Sequence, residues 1–480
     1  MKKYYRLLLL TFVGALTLQG CDDLDDHAVP VNDFIWKGMN LYYLWQQDVP
    51  NLADSKAANQ AQLNMFLQEF SSPENLFDNL LYQKGVIDRF SVIYSDYTLL
   101  EQALTGTVKN NGVDYGLRYK NSGSTEIFGW VRYILPNSDA STKNIHRGTI
   151  FYAVNGTPLT SSNYRSLLNS GDSYTLNLAD YDNGAITPNG QTVSLTKTPF
   201  SENPVYQTQT YTMGNHKIGY LVYNGFYGDY DNQLNAAFGQ LAGENITDLV
   251  LDLRYNSGGL ISSAVRLGSM ITGQFNGQVF NRQQWNPKIQ TRLEQANSAS
   301  LVNNFTNSLS NGSGINSLNL TKVYILTSQS TASASELVIN CLKPYIDVVQ
   351  IGDITTGKNA GSITLYDSPD FSANKRSSSH RYAMQPLVLK TVNKDGYGDY
   401  TAGIQPTYPL IENLGNLGQL GDTSEPLLST AIGIITNAAR MQKQNPTEQF
   451  RHFKDSKSIN PMQTEMYIDK LPEGLGTVQP

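Results

Sequence analysis

A serine placed among small residues, where a helix is expected to begin, is the most informative feature of this sequence. Ser333 lies in the segment Ser330–Glu336 (STASASE), and Lys358 follows 25 positions later in a Gly-Lys pair. A serine hydroxyl is a poor nucleophile until a neighbouring base takes its proton. A lysine serves as that base only where burial favours its neutral amine over its ammonium form. These residues therefore indicate serine chemistry with a lysine base, provided that the fold brings them together.

The sequence between the two residues predicts elements that can do so. Glu336–Leu342 is expected to be helical, with Pro344 ending the helix. Val348–Ile351 is typical of a buried strand, and the glycine-bearing segment Gly352–Gly357 predicts a turn. A helix, a strand and a turn can return the chain so that Lys358 lies beside Ser333.

A second motif lies upstream, in the segment Asp252–Gly259 (DLRYNSGG). It follows the apolar stretch Leu249–Leu251, which predicts a buried strand. Paired glycines after a strand allow backbone N–H groups to approach a substrate closely, because glycine has no side chain. Gly258 and Gly259 are therefore candidate binding residues.

Together these motifs resemble those of the tail-specific, or C-terminal processing, serine proteases. That family has a Ser-Ala-Ser-Glu segment at a helix start and a lysine in a Gly-Lys turn at this same separation. The resemblance implies that Ser333 is the nucleophile and Lys358 the general base. It also implies an oxyanion hole formed by the amides of Gly258 (or Gly259) and Ala334. Neither a metal nor another cofactor is implied.

The resemblance also implies a multidomain α/β fold with three folded parts. These are a small N-terminal helical domain, a PDZ-like β-rich domain that engages extended peptides or chain ends, and a mixed α/β catalytic domain of the crotonase-like ββα type. The expected boundaries are 31–105, 112–199 and 206–437, and residues 438–480 form a C-terminal tail without a recognisable motif.

Two positions after the lysine depart from the family's pattern. The family continues its turn with a glycine and carries a glutamine four residues after the lysine, where it helps to hold the ammonium group. This chain has Asn359 and Ser362 at those places. Ser362 offers a shorter side chain that can accept a hydrogen bond from Lys358. The departures concern the orientation of the lysine rather than the class of reaction.

Other catalytic schemes have weaker support. None of the five histidines lies close in sequence to the serine or glycine motifs, although the members of a Ser-His-Asp triad can be remote in sequence. The segment Ser372–Lys375 matches a Ser-x-x-Lys pattern, but its neighbours predict a loop rather than a helix start. Asp180–Gly184 predicts a hairpin turn rather than a calcium loop, because the later glutamate is missing.

Composition limits the class of protein. A chain of 480 residues can form two to four domains with sizeable cores. The formal net charge is −6 with no basic tract, which argues against nucleic acid as a partner. Polypeptide substrates are the partners that the motifs imply, and the sequence does not define an oligomeric state.

The N-terminus has the pattern of a targeting segment. Basic residues precede the apolar stretch Leu7–Leu18, which is too short to span a bilayer. It ends in Leu18–Cys21, which resembles a bacterial lipobox. Residues 1–20 are therefore expected to be a lipoprotein signal peptide, Cys21 the lipidated residue and residues 21–30 an acidic tether. An ordinary signal peptide with an incidental cysteine is the alternative.

These observations predict a lipid-anchored serine endopeptidase on the outer membrane of a Gram-negative cell, either periplasmic or surface-exposed. The rival hypothesis is a catalytically impaired pseudoprotease that binds peptides, in which the altered turn no longer positions Lys358. Cys341, the only other cysteine, is expected to pack as a small apolar group.

Overall fold

The computed structural model describes residues 30–437, 450–459 and 466–468. The predicted signal peptide, Cys21 and nearly all of the acidic tether lie outside the described residues. No helix within the described ranges is long and apolar enough to cross a membrane.

The chain begins with a small group of helices, as the sequence predicts. They are α1 (Pro30–Tyr42), α2 (Gln60–Leu67) and α3 (Pro73–Asn79), with short 3₁₀ turns at Gln46–Asp48, Pro50–Leu52 and Asp54–Ala57. Side chains cap two of them: Asn59 accepts a hydrogen bond from the amide of Gln62, and Ser72 accepts one from Asn75. Such caps satisfy amides that the first helical turn leaves without partners.

A short connector leads from these helices to the rest of the chain. It continues into strand β1 (Val92–Tyr94) and helix α4 (Tyr97–Leu104). Asp88 fixes the connector, because its buried carboxylate accepts hydrogen bonds from the Tyr43 hydroxyl and from the amides of Phe90 and Ser91.

The next part, which we call the β-rich module, spans residues 107–201 and has its own apolar core. Its strands are β2 (Thr107–Asn110), β3 (Val113–Tyr119), β4 (Ile127–Ile134), β5 (Ile150–Val154), β6 (Thr157–Pro158), β7 (Ser173–Asp182), β8 (Ala185–Thr196) and β9 (Thr198–Ser201), with helix α5 (Tyr164–Leu168) after β6. The antiparallel sheet runs β3-β4-β5-β7-β8, and β2 pairs with β9. The turn predicted at Asp180–Gly184 joins β7 to β8, which confirms the hairpin.

A six-stranded sheet, the central sheet, carries the two sequence motifs. Its strands are, in spatial order, β10 (Val205–Met213), β11 (His216–Tyr223), β12 (Asp248–Asp252), β16 (Lys322–Thr327), β17 (Asp347–Gly352) and β22 (Tyr408–Pro409). All neighbours are parallel except β10 and β11. The carboxyl ends of β12, β16 and β17 therefore meet at one edge, where the glycine, serine and lysine segments begin.

Helices cover both faces of the central sheet, as parallel strands require. One face packs against α6 (Asp231–Gly243), α7 (Ile261–Thr272) and α9 (Ala334–Leu342), and the other against α10 (Pro426–Ile435). Alternate residues of β11 follow this division: Leu221 and Tyr223 belong to the first core, and Tyr220 and Val222 to the second. Cys341 lies in the first core, as predicted.

A second six-stranded sheet lies beside the first. Its strands are β13 (Gly259–Leu260), β14 (Val279–Trp285), β15 (Val302–Asn304), β18 (Ala360–Ser362), β21 (Leu387–Asn393) and β24 (Met466–Tyr467), and helix α8 (Pro287–Asn297) follows β14. The spatial order is β13-β24-β18-β21-β14-β15. Strands β19 (Leu365–Tyr366) and β20 (Ala383–Gln385) form a small sheet with β1. The segment Ser372–Lys375 is a turn, which confirms the loop predicted there.

The last described residues join parts that lie far apart in sequence. Strand β23 (His452–Asp455) pairs with β3 of the β-rich module, and helix α11 (Ser456–Ile459) follows it. Strand β24 pairs with β13 and β18. The tail that the sequence left without a motif thus contributes strands to two sheets.

Buried charges join the β-rich module to the central sheet. Arg147, in the loop between β4 and β5, donates hydrogen bonds to the Tyr255 hydroxyl and to Glu412, both at 2.7 Å. Arg254 contacts the same carboxylate at 3.3 Å and forms two hydrogen bonds with Glu425. Burial alone would raise the pKa of Glu412, but Arg147 and Arg254 outweigh it and lower this pKa to about 2.

This cluster predicts an acid-labile component of stability. Folding lowers the pKa of Glu412 from 4.5 to about 2. Its contribution to the free energy of unfolding is therefore complete above the unfolded pKa and is lost as the pH falls from that value towards the folded pKa. The contribution amounts to roughly 3 kcal/mol. We therefore expect the free energy of unfolding, measured with urea, to fall more steeply between pH 5 and pH 3 in the parent than in Glu412→Gln.

At neutral pH this variant should be less stable than the parent, because it leaves two buried arginines undercompensated. Equal slopes against pH in the two proteins would contradict the assignment.

Candidate active site

Ser333 lies at a sharp turn between a strand of the central sheet and a helix. Strand β16 ends at Thr327, and α9 begins at Ala334. The backbone of Ser333 has φ 63° and ψ −116°, a region that a residue with a side chain rarely adopts. The residue is fully buried, and its Oγ has no hydrogen-bond partner among the described residues. Backbone strain of this kind persists only where surrounding contacts impose it, and it clusters at functional sites.

The glycine motif supplies many of those contacts. The carbonyl of Leu253 accepts a hydrogen bond from the Thr331 hydroxyl at 2.9 Å. The carbonyl of Asn256 accepts two, from the amide of Ala332 and from the hydroxyl of Ser335, both at 3.1 Å. The two motifs that the sequence identified are therefore bound directly to each other.

Gly258 comes closest to the serine. A Cβ atom placed on Gly258 would lie 2.5 Å from the Cβ of Ser333, 2.8 Å from its Oγ and 3.1 Å from the amide nitrogen of Ala334. No side chain fits there, and φ of Gly258 is 114°, which also favours glycine. The amide of Gly258 donates to Oδ1 of Asn256 at 2.9 Å, so this predicted oxyanion donor is engaged in the structure.

Lys358 follows strand β17 by a tight turn in which Gly357 has φ 83°. Its side chain is buried, with 1% exposed, and its Nζ lies 4.7 Å from the centre of the Phe90 ring. Arg89 donates a hydrogen bond to the carbonyl of Gly357 at 2.8 Å. The connector after the N-terminal helices therefore reaches across the molecule and encloses the lysine. The sequence motifs did not predict this contact with Lys358.

Glu336 connects the serine turn to the lysine turn. Its Oε2 accepts hydrogen bonds from the backbone amides of Ser333 and Lys358, both at 2.8 Å. Its Oε1 accepts bonds from the amide of Gly357 and from the Thr355 hydroxyl. Burial raises the pKa of Glu336, and these four hydrogen bonds oppose that rise. A carboxylate that only accepts is in the hydrogen-bonding state of the ionised form.

Sequence reasoning assigned no role to Glu336, although one signal was present. A glutamate three residues after a serine at a helix start matches the capping box, in which the glutamate side chain accepts a hydrogen bond from the serine's amide. Ser333 and Glu336 have this spacing.

The two departures from the family pattern have definite positions. Asn359 is buried, and its side chain donates to the carbonyl of Gly398 at 2.7 Å. Ser362 lies in β18 and is fully buried; its hydroxyl is 3.2 Å from the carbonyl oxygen of Met466 and 3.4 Å from Oε1 of Gln385. Asn359 therefore holds the turn after Lys358 against the loop that follows β21.

Two of the histidines are engaged by groups outside the serine and glycine motifs. His380 has contacts at both ring nitrogens, with Asp367 at 2.9 Å and with the amide of Tyr382 at 3.0 Å. His216 contacts Asp248 at 2.8 Å on the surface. Within the described ranges, no group of three or more His, Cys, Asp or Glu side chains is placed to hold a metal ion.

Comparisons with known proteins identify the family of this chain. The profile of the Peptidase S41 N-terminal domain matches residues 30–92, and that of Peptidase family S41 matches residues 217–408. A CtpA-like serine protease of Staphylococcus aureus (strain MSSA476) is 23% identical over 243 residues, which cover 49% of this chain and 43% of that protein. A CtpA-like serine protease of Staphylococcus epidermidis (strain ATCC 12228 / FDA PCI 1200) is 24% identical over 189 residues, which cover 39% of this chain and 33% of that protein. The chain thus spans less than half the length of the curated relatives that it matches.

Solved structures match over more of the chain. An S41 protease structure from Bacteroides fragilis NCTC 9343 is 26% identical, with a TM-score of 0.65, and the match covers 85% of this chain and 97% of the other. The photosystem II D1 C-terminal processing protease is 18% identical with a TM-score of 0.51, covers 85% of this chain and 98% of its own, and shares the fold.

The close approach of Gly258 predicts that a methyl group there disrupts the site. In Gly258→Ala, we expect the hydrolysis rate of a p-nitrophenyl ester to fall by about 10²–10³, because the new Cβ displaces Ser333 and the nearby amides. The strained φ should also lower the free energy of unfolding by about 1–3 kcal/mol. Gly243→Ala is the control, since a Cβ at Gly243 would meet no atom within 4 Å. Parental ester hydrolysis in Gly258→Ala would contradict this geometry.

The bridge through Glu336 predicts a positioning defect in Glu336→Gln. An amide cannot accept all four hydrogen bonds, so one turn should shift away from the other. Because small misplacements of reacting groups cost up to about 10² in rate, we expect kcat for the same ester to fall roughly 10²-fold while KM changes little. Glu294→Gln, at an exposed position of α8, is the control. A variant that loses stability but keeps its kcat would show that Glu336 is structural only.

Proposed function

We propose that this chain, which belongs to peptidase family S41, is a serine endopeptidase that cleaves polypeptides with a Ser333–Lys358 dyad. The observation that carries the proposal is the Glu336 carboxylate, which accepts hydrogen bonds from the backbone amides of both residues. Two turns 25 residues apart are thereby held to one side chain, and both side chains of the dyad are buried beside it. The family supports the reaction class, whereas the roles of the two residues are our assignment.

In the proposed reaction, the Ser333 Oγ attacks the carbonyl carbon of the scissile bond, and neutral Lys358 takes the hydroxyl proton. The resulting ammonium group lies near the face of Phe90, where a cation–π contact favours the charged form. Collapse of the tetrahedral intermediate breaks the C–N bond, and Lys358 gives its proton to the leaving amine. Water then attacks the acyl-enzyme while Lys358 takes its proton. The ester C–O bond breaks, Lys358 returns the proton to the Ser333 Oγ, and the carboxylic acid product leaves.

For this to begin, Lys358 has to reach the Ser333 Oγ, which accepts no hydrogen bond from the described residues. Catalytic hydrogen bonds often form only when substrate is bound, so the observed geometry is compatible with the dyad. The Lys358 side chain is buried, and the proposed reaction requires it to be neutral when it takes the proton.

The amide of Ala334, at the N-terminus of α9, is the proposed principal donor to the oxyanion. It is close to the serine and lies at the positive end of the helix dipole. We retain Gly258, or Gly259, as the second donor. In the case of Gly258, the Asn256 side chain would have to release the amide when substrate binds, because one N–H cannot serve both acceptors fully.

We further propose that the β-rich module is PDZ-like and binds extended polypeptide, and that the catalytic core is of the crotonase-like type. Support comes from the module's own core and from its helix α5. Arg132 of the module donates to the Ser330 hydroxyl at 2.7 Å, which places the module against the nucleophile's loop. A lipid anchor at Cys21 and an outer-membrane location remain proposals from the sequence.

The second candidate is a peptide-binding pseudoprotease. The observation in its favour is that the Ser333 hydroxyl accepts no hydrogen bond from Lys358, in a turn that carries Asn359 and Ser362. In that case the chain would bind polypeptides without cleaving them.

Substitution of the dyad separates the two candidates. With an unstructured protein such as casein as substrate, Ser333→Ala and Lys358→Ala should each reduce kcat at least about 10³-fold, because neither residue acts without the other. Lys343→Ala, at the end of α9, is the matched lysine control and should keep parental activity. A parent that binds the substrate and leaves it intact would establish the pseudoprotease instead.

A further inference from the structure

The chain's own C-terminal segment occupies a gap beside the dyad. We call this gap the strand slot and define it as the space between Gly259–Leu260 (β13) and Ala360–Ser362 (β18). Strand β24 fills it and runs parallel to both, with Gly259 opposite Met466 and Ser362 opposite Tyr467. The amide of Ile468 adds a hydrogen bond to the carbonyl of Ser362 at 3.1 Å.

The strand slot is adjacent to the proposed catalytic groups on both sides. Strand β13 starts at the residue after Gly258, whose backbone approaches the Ser333 Oγ. Strand β18 starts two residues after Lys358. An extended chain in the slot therefore lies between the strand that follows the proposed oxyanion loop and the strand that follows the proposed base.

Side chains of the segment are buried in this position. Met466 is fully buried in the main core, and Tyr467 is 7% exposed. The Tyr467 hydroxyl donates to the carbonyl of Leu104 at 3.0 Å, and the side chain borders a cavity of about 600 Å³ that Leu260 and Tyr366 also line. The slot thus accepts an apolar residue followed by an aromatic one.

The same segment occupies the edge of the β-rich module. Strand β23 adds to the edge of β3. The centre of the Phe453 ring lies 5.0 Å from that of Tyr119 and 5.0 Å from that of Tyr164 in helix α5. Addition of a strand to a sheet edge is a general mode of peptide recognition. The segment lies between an edge strand and a helix, which is how an extended peptide is held in a groove.

Further contacts hold the stretch between the two strands. Ile459 belongs to the module's core, and the ammonium group of Lys457 donates to the carbonyls of Asn224 at 2.5 Å and Tyr255 at 3.3 Å. Residues 450–459 of the segment thus lie against the module, and residues 466–468 lie between the strands that flank the proposed catalytic groups.

We infer that the C-terminal segment is a tethered substrate mimic, which occupies the polypeptide-binding path of the proposed peptidase and inhibits it. Inhibition by the segment rests on the proposed function, because only an active peptidase can be inhibited. Occupation of the strand slot by β24 does not depend on catalysis. Substrate competes for the slot as an extended strand and displaces β24. A segment tethered by short linkers has an effective concentration of about 1 mM, so even a weak strand with Kd of about 0.1 mM reduces substrate binding roughly tenfold.

Release of β24 tests the inference in the full-length chain. Ile468→Pro removes the hydrogen bond to Ser362, and Met466→Asp places a charge in the apolar core. We expect each to raise kcat/KM for casein about tenfold, mainly through a lower KM, because the tethered competitor is weakened. Met65→Asp, at a side chain that is 64% exposed on α2, is the matched control and should equal the parent.

Peptide binding separates the inference from catalysis. The probe is a fluorescent peptide with the sequence of residues 464–470 (TEMYIDK), measured by anisotropy against Ser333→Ala and Ser333→Ala/Ile468→Pro. We expect about tenfold tighter binding to the double variant, since its slot is vacated. If the peptide bound the double variant more tightly but neither the parent nor any variant hydrolysed casein, occupation of the slot would be supported and the proposed peptidase activity refuted. The inference would be overturned if the peptide bound both proteins equally and kcat/KM were unchanged in Ile468→Pro and Met466→Asp. The proposed peptidase activity would still stand in that case if the parent hydrolysed casein.

Discussion

One buried carboxylate, that of Glu336, holds the site together. It binds the backbone amides of Ser333, Gly357 and Lys358 and the Thr355 hydroxyl. Burial of a charge is costly unless hydrogen bonds compensate it, so the carboxylate is stable only while both turns stay in place. The serine turn and the lysine turn are therefore constrained by the same atoms, and the strained backbone of Ser333 is maintained by contacts on both sides.

A second set of constraints fixes what surrounds this carboxylate. Arg147 and Arg254 share Glu412, which couples the β-rich module to the loop of the glycine motif. The connector of the N-terminal helices covers Lys358 through Phe90, and the C-terminal strand β24 borders Ser362. The β-rich module, the N-terminal connector and the C-terminal segment thus each contact residues around the candidate site.

Local patterns predicted much of the frame of this site. The helix after Ser333, the strands Asp248–Asp252 and Asp347–Gly352 and the hairpin turn at Asp180–Gly184 are all present. These elements are governed by apolar periodicity, capping residues and glycine turns, which are properties of neighbouring residues. The family assignment, carried by the serine and glycine motifs, is also confirmed.

The remaining features depend on contacts between distant residues. Phe90 meets Lys358 across more than 260 positions, and nothing in its neighbourhood signals that contact. Strand β24 has two residues, too few for a periodic pattern, and its pairing is set by the gap that β13 and β18 leave. The contact of Glu336 with the Ser333 amide could be predicted from the capping-box spacing. Its hydrogen bond to the Lys358 amide could not, because it forms only when the fold brings the two turns together.

The central claim is that Lys358 activates Ser333. Its most direct test is covalent labelling by a fluorophosphonate, which reacts with a serine whose proton is removed, followed by peptide mapping with mass spectrometry. The account predicts a single adduct at Ser333 in the parent and a labelling rate at least about 10²-fold lower in Lys358→Ala. An adduct at another serine, or labelling of Ser333 at the same rate without Lys358, would contradict it.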